Sequence, residues 1–194
     1  MAMALNPQKQ HIAQAEIDRV IGNNRLPIIA DCNDLPYVNA VIKETIRWHP
    51  SLPLSIARAS AEDSFFRGYF IPKGTIIIPN AWAVAFEVHD KYDVEAFIPE
   101  RFLNPTCTTI DPAVWAFGFG RRVCPGKALA ENTLFAVIST IIAAFDILPP
   151  AEGVLEPQFG LDLVSYPQRF NCQIVPRSAV TAELIRQRAA SLNE

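Results

Sequence analysis

The residues of this sequence with the most chemical potential lie in one run, Phe117-Gly118-Phe119-Gly120-Arg121-Arg122-Val123-Cys124-Pro125-Gly126. A glycine-rich stretch presents one cysteine immediately before a long helix-forming segment. The free backbone N–H groups of a helix start, and the positive end of its dipole, stabilise negative charge on the sulfur. Arg121 and Arg122 act in the same direction. A thiolate so placed has two main uses, as a nucleophile or as a metal ligand. The competing reading is a turn holding a buried, inert cysteine. Two glycines, two arginines and a Cys-Pro-Gly corner together disfavour it.

Other uses of the same letters fail on spacing. A phosphate loop needs four residues between its glycines and Ser or Thr after the lysine. Here five separate Gly120 from Gly126, and Ala128 follows Lys127. A dinucleotide fingerprint needs glycine where Val123 stands. A cysteine nucleophile needs a histidine base, and His11, His49 and His89 lie in no recognisable protease signature. Elsewhere, Glu44 and Arg47 are spaced to share one helix face. Taken alone, such a pair is most often an exposed salt bridge of little energetic consequence.

These residues need elements to hold them. Pro7 and the spacing of Ala13, Ile17, Val20 and Ile21 predict a helix over 7–21, stopped by Gly22-Asn23. Asp34 and Pro36 announce a second helix through Trp48, which must end before Pro50 and carries Glu44 and Arg47. SFFRGYF, a Pro-Lys-Gly turn at 72–74 and TIIIP read as strand-rich, and 80–116 as short helices and loops. KALAENTLFAVISTIIAAF is a long helix opened by the cysteine run. Its uncharged stretch Thr133–Phe145 is 13 residues, short of the roughly 20 that span a bilayer, so it reads as a buried core helix. Phe170, Cys172 and Ile174 alternate as in a strand, and a polar helix over 181–192 closes the chain. The fold class is mainly α with small antiparallel β-sheets.

Half of the 194 residues are hydrophobic and 19% are charged, so a substantial core is available and disorder is disfavoured. A net charge of −3, from 17 Lys and Arg against 20 Asp and Glu, supplies no field for nucleic acid. Four dispersed cysteines and three histidines make neither a disulfide scaffold nor a zinc module. No secretory signal is visible, and no internal boundary divides 1–194.

The run around Cys124 resembles the haem-binding signature of the cytochromes P450, F-x-x-G-x-R-x-C-x-G, at Phe117, Gly120, Arg122, Cys124 and Gly126. The resemblance implies that Cys124 is the axial, catalytic thiolate ligand of a haem b iron, donating electron density that favours O–O cleavage. It implies that Arg122 pairs with a haem propionate and that Phe117 shields the sulfur. Gly126 then lets the helix backbone approach the porphyrin. Glu44-Thr45-Ile46-Arg47 matches the family's E-x-x-R motif. Pro99-Glu100-Arg101-Phe102 matches its P-E-R-F motif, so Glu44, Arg47 and Arg101 are expected to form a structural triad. The order agrees too: Arg101 follows Arg47 by 54 residues, and Cys124 follows Arg101 by 23. Arg58 resembles the arginine that holds the other propionate, with a solvated arginine as the alternative. Leu52, Pro53 and Leu54 resemble a pocket-lining stretch, and Leu163 and Val164 a second lining turn.

The implied reaction inserts one oxygen atom of O₂ into a small apolar organic substrate, with electrons from NADPH through a P450 reductase. Residues 1–194 resemble only the C-terminal part of the fold, and Met1–Leu5 the last turns of the long distal helix. The preceding part in the family carries the membrane anchor, most of the pocket and an acid–alcohol pair. In eukaryotes the family is anchored in the endoplasmic reticulum, and no anchor is visible in these residues. Two alternatives stand beside the monooxygenase: a truncated fragment without turnover, and a P450-like haem isomerase. Ala85-Phe86-Glu87-Val88 departs from the family, which commonly has His or Arg and then Asp-Pro here.

Overall fold

Prolines and helical periodicity set most of the element boundaries. The computed structural model of the chain describes residues 1–88 and 91–190. Helix α1 (Ala2–Leu5) breaks at Asn6, and Pro7 opens α2 (Pro7–Val20) where its missing N–H is no loss. Gly22, at φ +77°, ends that helix in the left-handed conformation. Helix α3 (Pro36–Trp48) ends at His49, ahead of Pro50. Asp34 does not cap it: that residue ends a 3-10 turn over Ile29–Asp34, and no neighbouring side chain caps α3. The cap comes from α2, where the buried Glu16 carboxylate accepts the Tyr37 and Val38 N–H groups, both at 3.0 Å.

The strands form three two-stranded antiparallel sheets. β1 (Arg58–Ala59) pairs with β4 (Ile76–Ile77), bracketing the hairpin of β2 (Ser64–Phe66) and β3 (Tyr69–Ile71). Arg67 and Gly68 turn the hairpin with φ of 48° and 84°, the left-handed pair that two-residue hairpins require. After α4 (Ala81–Ala85), capped by Asn80, the chain runs through 3-10 turns at Pro99–Phe102, Pro112–Val114 and Gly120–Arg122 to α5 (Lys127–Ala144). β5 (Phe145–Leu148) then pairs with β6 (Gln173–Pro176). The expected strand therefore begins later than its alternation suggested: Ile174 is in it, while Phe170 and Cys172 precede it. Helix α6 spans Ala179–Ala190; residues 191 and 192 of the expected terminal helix, and His89, lie outside the described residues.

The core sits where α2, α3 and α5 meet, around Ile17, Leu35, Val38, Val41, Phe135 and Ile142. α5 corrects the expectation of a buried helix. Phe135, Ser139 and Ile142 form a buried stripe at helical spacing, while Leu129 is 74% and Val137 50% exposed. By length and composition α5 could cross a membrane, but it packs on α2 and α3.

Candidate functional site

Trp115 is buried against Ala81 and Ala85, and anchors the chain just ahead of the cysteine run. From there Gly118 and Gly120, at φ +85° and +59°, bend the backbone through conformations that other residues avoid. The loop closes on itself: the Cys124 N–H donates to the Phe117 carbonyl at 2.8 Å. The Lys127 N–H then donates to the Cys124 carbonyl at 3.2 Å and starts α5, whose N-terminus no side chain caps. The Lys127 ammonium reaches back to the Ala113 carbonyl at 2.8 Å, tying α5 to the segment before the loop. Of the four cysteines, Cys124 alone is exposed. A Cβ at Gly126 would lie 3.7 Å from its sulfur, so glycine there leaves that side of the sulfur open. Arg121 and Arg122 are exposed, and among the described residues their side chains make no ion pair.

The second constellation lies in the interior. Arg47 grips the Glu44 carboxylate with two bonds, Nε to Oε2 at 2.7 Å and Nη2 to Oε1 at 2.9 Å. Arg101 approaches from the P-E-R-F turn, its Nε 3.1 Å from Oε2. All three side chains are essentially inaccessible, so the pair is not the exposed salt bridge that its spacing alone suggests. Most of the remaining donors go to the main chain, while Arg101 Nη1 is buried with no hydrogen-bond partner among the described residues. Arg47 Nη1 reaches the Ala85 and Val94 carbonyls at 3.1 and 2.8 Å, and Arg101 Nη2 the Asp93 carbonyl at 2.8 Å. The Ile98 N–H donates to Glu44 Oε1 at 2.7 Å. One carboxylate thus pins the meander of residues 93–101 to α3. Burial pulls the Arg101 guanidinium down from its ordinary value; Glu44 opposes that and Arg47 adds to it. Phe86, in the stretch that departs from the family, stacks on Trp82 at 4.3 Å and lies 5.6 Å beneath the Arg47 guanidinium.

A sequence model described as cytochrome P450 matches residues 1–174. The chain belongs to the cytochrome P450 family. It is 42% identical over 193 residues to the cytochrome P450 monooxygenase claR of Ampulloclitocybe clavipes, covering 96% of this chain and 36% of that protein. It is 38% identical to the O-methylsterigmatocystin oxidoreductase of Aspergillus flavus, again covering 96% and 36%. Among solved structures it resembles a zebra fish cytochrome P450 with progesterone. The TM-score is 0.77 at 34% identity, over 90% of this chain and 39% of that one. The chain therefore spans little more than a third of the length of the curated relatives it matches. P450 membership implies a haem cofactor, and the fold, mixed helices with small antiparallel sheets, is the P450 fold in part.

The other predicted residues fall on the surface of this P450 segment. Arg58 is exposed on β1, opposite Ile77, and its side chain makes no ion pair among the described residues. Leu54, Leu163 and Val164 are exposed and Leu52 is half-buried. Two carboxylates were missed. Glu16 reads as an ordinary helix residue, since its partners lie 21 and 22 positions away. Glu100 sits within P-E-R-F, yet faces away from the arginine cluster: it accepts from Lys9 and from the Tyr37 hydroxyl, each at 2.9 Å. His49, considered only as a nucleophile's base, bonds to Ser165 instead, and burial pulls its imidazole below the ordinary value.

Proposed function

We propose that residues 1–194 are the haem-binding C-terminal part of a cytochrome P450 monooxygenase, with Cys124 as the thiolate ligand of haem b. The observation that carries this reading is the environment of Cys124: the one exposed cysteine, on a self-closed loop, at an uncapped helix start, beside Arg121 and Arg122, which make no ion pair among the described residues. The donor chemistry suits a haem iron, which takes a soft thiolate on one face and needs the sulfur uncovered. Gly126 meets that need, since a side chain there would lie against the sulfur.

In this reading Arg122 and Arg58 hold the two propionates, and both are exposed guanidinium groups with no competing ion pair among the described residues. Phe117 shields the sulfur and its carbonyl fixes the Cys124 backbone. Gly120, at φ +59°, supplies the bend between Phe117 and Arg122. Haem, when bound, supplies the redox and oxygen chemistry of the reaction. The chain supplies ligation, orientation and the triad that holds α3 to the meander. Electrons come from NADPH through a P450 reductase, and the substrate is a small apolar molecule lined by Leu52, Leu54, Leu163 and Val164.

The test is the spectrum of the reduced, CO-bound haem protein containing this chain. The red-shifted Soret band of thiolate ligation is expected, and Cys124→Ser should abolish it, since a serine alkoxide forms far less readily. Serine at Cys32, Cys107 or Cys172 should leave the band in place. Loss of the band in one of those three, with Cys124→Ser unaffected, would make the assignment wrong.

A further inference from the structure

His49 is the first residue beyond α3, two positions after Arg47. Its ring lies flat on Phe159, with centroids 3.4 Å apart and planes at 12°. Its Nε2 stands 2.7 Å from the Ser165 hydroxyl oxygen. The hydroxyl hydrogen of Ser165 is directed to the Gly160 carbonyl at 2.6 Å, so Nε2 is the donor in the bond with His49. The Ser165 N–H donates in turn to the Ser51 carbonyl at 2.8 Å. The turn so held is closed at its base by the Gly160 N–H donating to the Tyr166 carbonyl at 3.0 Å and by pairing of Phe159 with Pro167. Beyond these anchors the turn projects Leu163 and Val164, 67% and 49% exposed.

Ser51, on the other side of the clasp, leads into a second tight turn. The Ser55 N–H donates to the Leu52 carbonyl at 2.9 Å, and Ser55 is left-handed at φ 50°. The two segments assigned to the substrate pocket, Leu52 with Leu54 and Leu163 with Val164, are 109 or more residues apart in sequence. They are joined through one serine. Two hydrogen bonds of Ser165, one accepted from His49 at the end of α3 and one donated to the Ser51 carbonyl, set where the second segment stands relative to the first. At the base of the turn, Phe159 also meets Trp48 of α3 edge-on, with centroids 5.9 Å apart.

We infer that His49 is a positioning residue: through Ser165 it locks the 160–166 turn to the end of α3 and so fixes one wall of the substrate pocket. This rests on the haem-site reading above. Because α3 also carries Glu44 and Arg47, the wall is referenced to the same rigid helix that holds the meander leading to the Cys124 loop. The role needs a hydrogen-bond donor at one place. His49→Phe keeps the stacked ring and loses the donor, whereas His49→Gln gives up the ring and carries an amide N–H in place of Nε2.

The test uses the haem-loaded protein containing this chain and two probes, imidazole, which reports access to the iron, and 4-phenylimidazole, which also needs the apolar wall. In His49→Phe and in Ser165→Ala, 4-phenylimidazole should bind about fivefold more weakly, the factor that one neutral hydrogen bond is worth. Imidazole binding should stay unchanged, and His49→Gln should bind 4-phenylimidazole as the unsubstituted protein does. Amide exchange should quicken at Ser165 and Gly160 in His49→Phe and recover in His49→Gln. Equal weakening of both probes, or no change in either variant while the thiolate spectrum is intact, overturns the positioning role. A missing thiolate spectrum in the unsubstituted protein sinks the haem reading instead, and amide exchange alone then decides the clasp.

Discussion

The carboxylate of Glu16, midway along α2, accepts the backbone N–H of Tyr37 at 3.0 Å, and so caps a helix to which it does not belong. The neighbouring Val38 N–H goes to its other oxygen. The same Tyr37 sends its hydroxyl to Glu100, which also holds Lys9 of α2. The start of α3 is therefore fixed by α2, and its far end carries Arg47 and leads directly into His49. The geometry of both constellations depends on where this helix begins.

Glu16→Ala leaves two buried N–H groups without acceptors and should destabilise the fold by about 2–3 kcal/mol. Glu16→Gln retains one acceptor oxygen and should lose roughly half of that. Denaturant unfolding of the haem-loaded protein measures both, and equal stability of Glu16→Ala and the parent would show that water replaces the cap.

Arg101→Ala leaves the Glu44–Arg47 pair charge-balanced but strips the Asp93 carbonyl of its donor and opens a cavity beneath Tyr92, whose ring lies 5.4 Å from the guanidinium. Breaking a buried ion pair costs about 3–5 kcal/mol, so the variant should accumulate little folded, haem-loaded protein. Arg101→Lys should not rescue it, because an ammonium cannot span Glu44 and the Asp93 carbonyl together. Haem absorbance per protein is the measurement, and normal loading in Arg101→Ala would end the structural assignment of the triad.

Partial burial pushes Glu100 up, but the bonds from Lys9 and Tyr37 outweigh it and hold the carboxyl below its ordinary value. A carboxylate that binds its proton less tightly in the folded state contributes stability above the unfolded value, about 4.3. That contribution is lost as the pH falls through the folded value. Melting temperature should therefore drop on acidification below about pH 4.3, and drop less in Glu100→Gln. Parallel acid profiles for the two proteins would show that the Lys9–Glu100–Tyr37 contact contributes nothing.

The 194-residue chain, purified by itself, should associate and hold haem weakly. Leu129 and Val137 on α5, and Leu54 and Ile56 before β1, expose apolar faces, and exposed patches beyond a few hundred Å² favour association. Sedimentation and haem titration are the measurements. A soluble monomer that binds haem stoichiometrically and forms product with NADPH and a reductase would refute this expectation.

The order of amino acids determined the features that depend on neighbours in the chain. The closure of the loop between Phe117 and Cys124 spans seven positions, and its bends sit on glycines. α2 and α3 begin at Pro7 and Pro36 because proline suits a first helical position. The motif residues were readable for the same reason, as contiguous runs. Alternation at Phe170, Cys172 and Ile174 misplaced a strand edge, because the ladder begins only where β5 lies opposite. Only the tertiary structure decided that Glu44 and Arg47 are buried, since that requires Arg101, 57 residues from Glu44, to be brought against them. It alone moved the cap of α3 from Asp34 to Glu16 and gave His49 to Ser165, 116 residues away. Neither partner is marked by spacing, because a buried donor or acceptor is satisfied by whatever packing brings within about 3 Å. Packing also decided which stripe of α5 faces the core, a choice that a helix with apolar residues on every side does not encode.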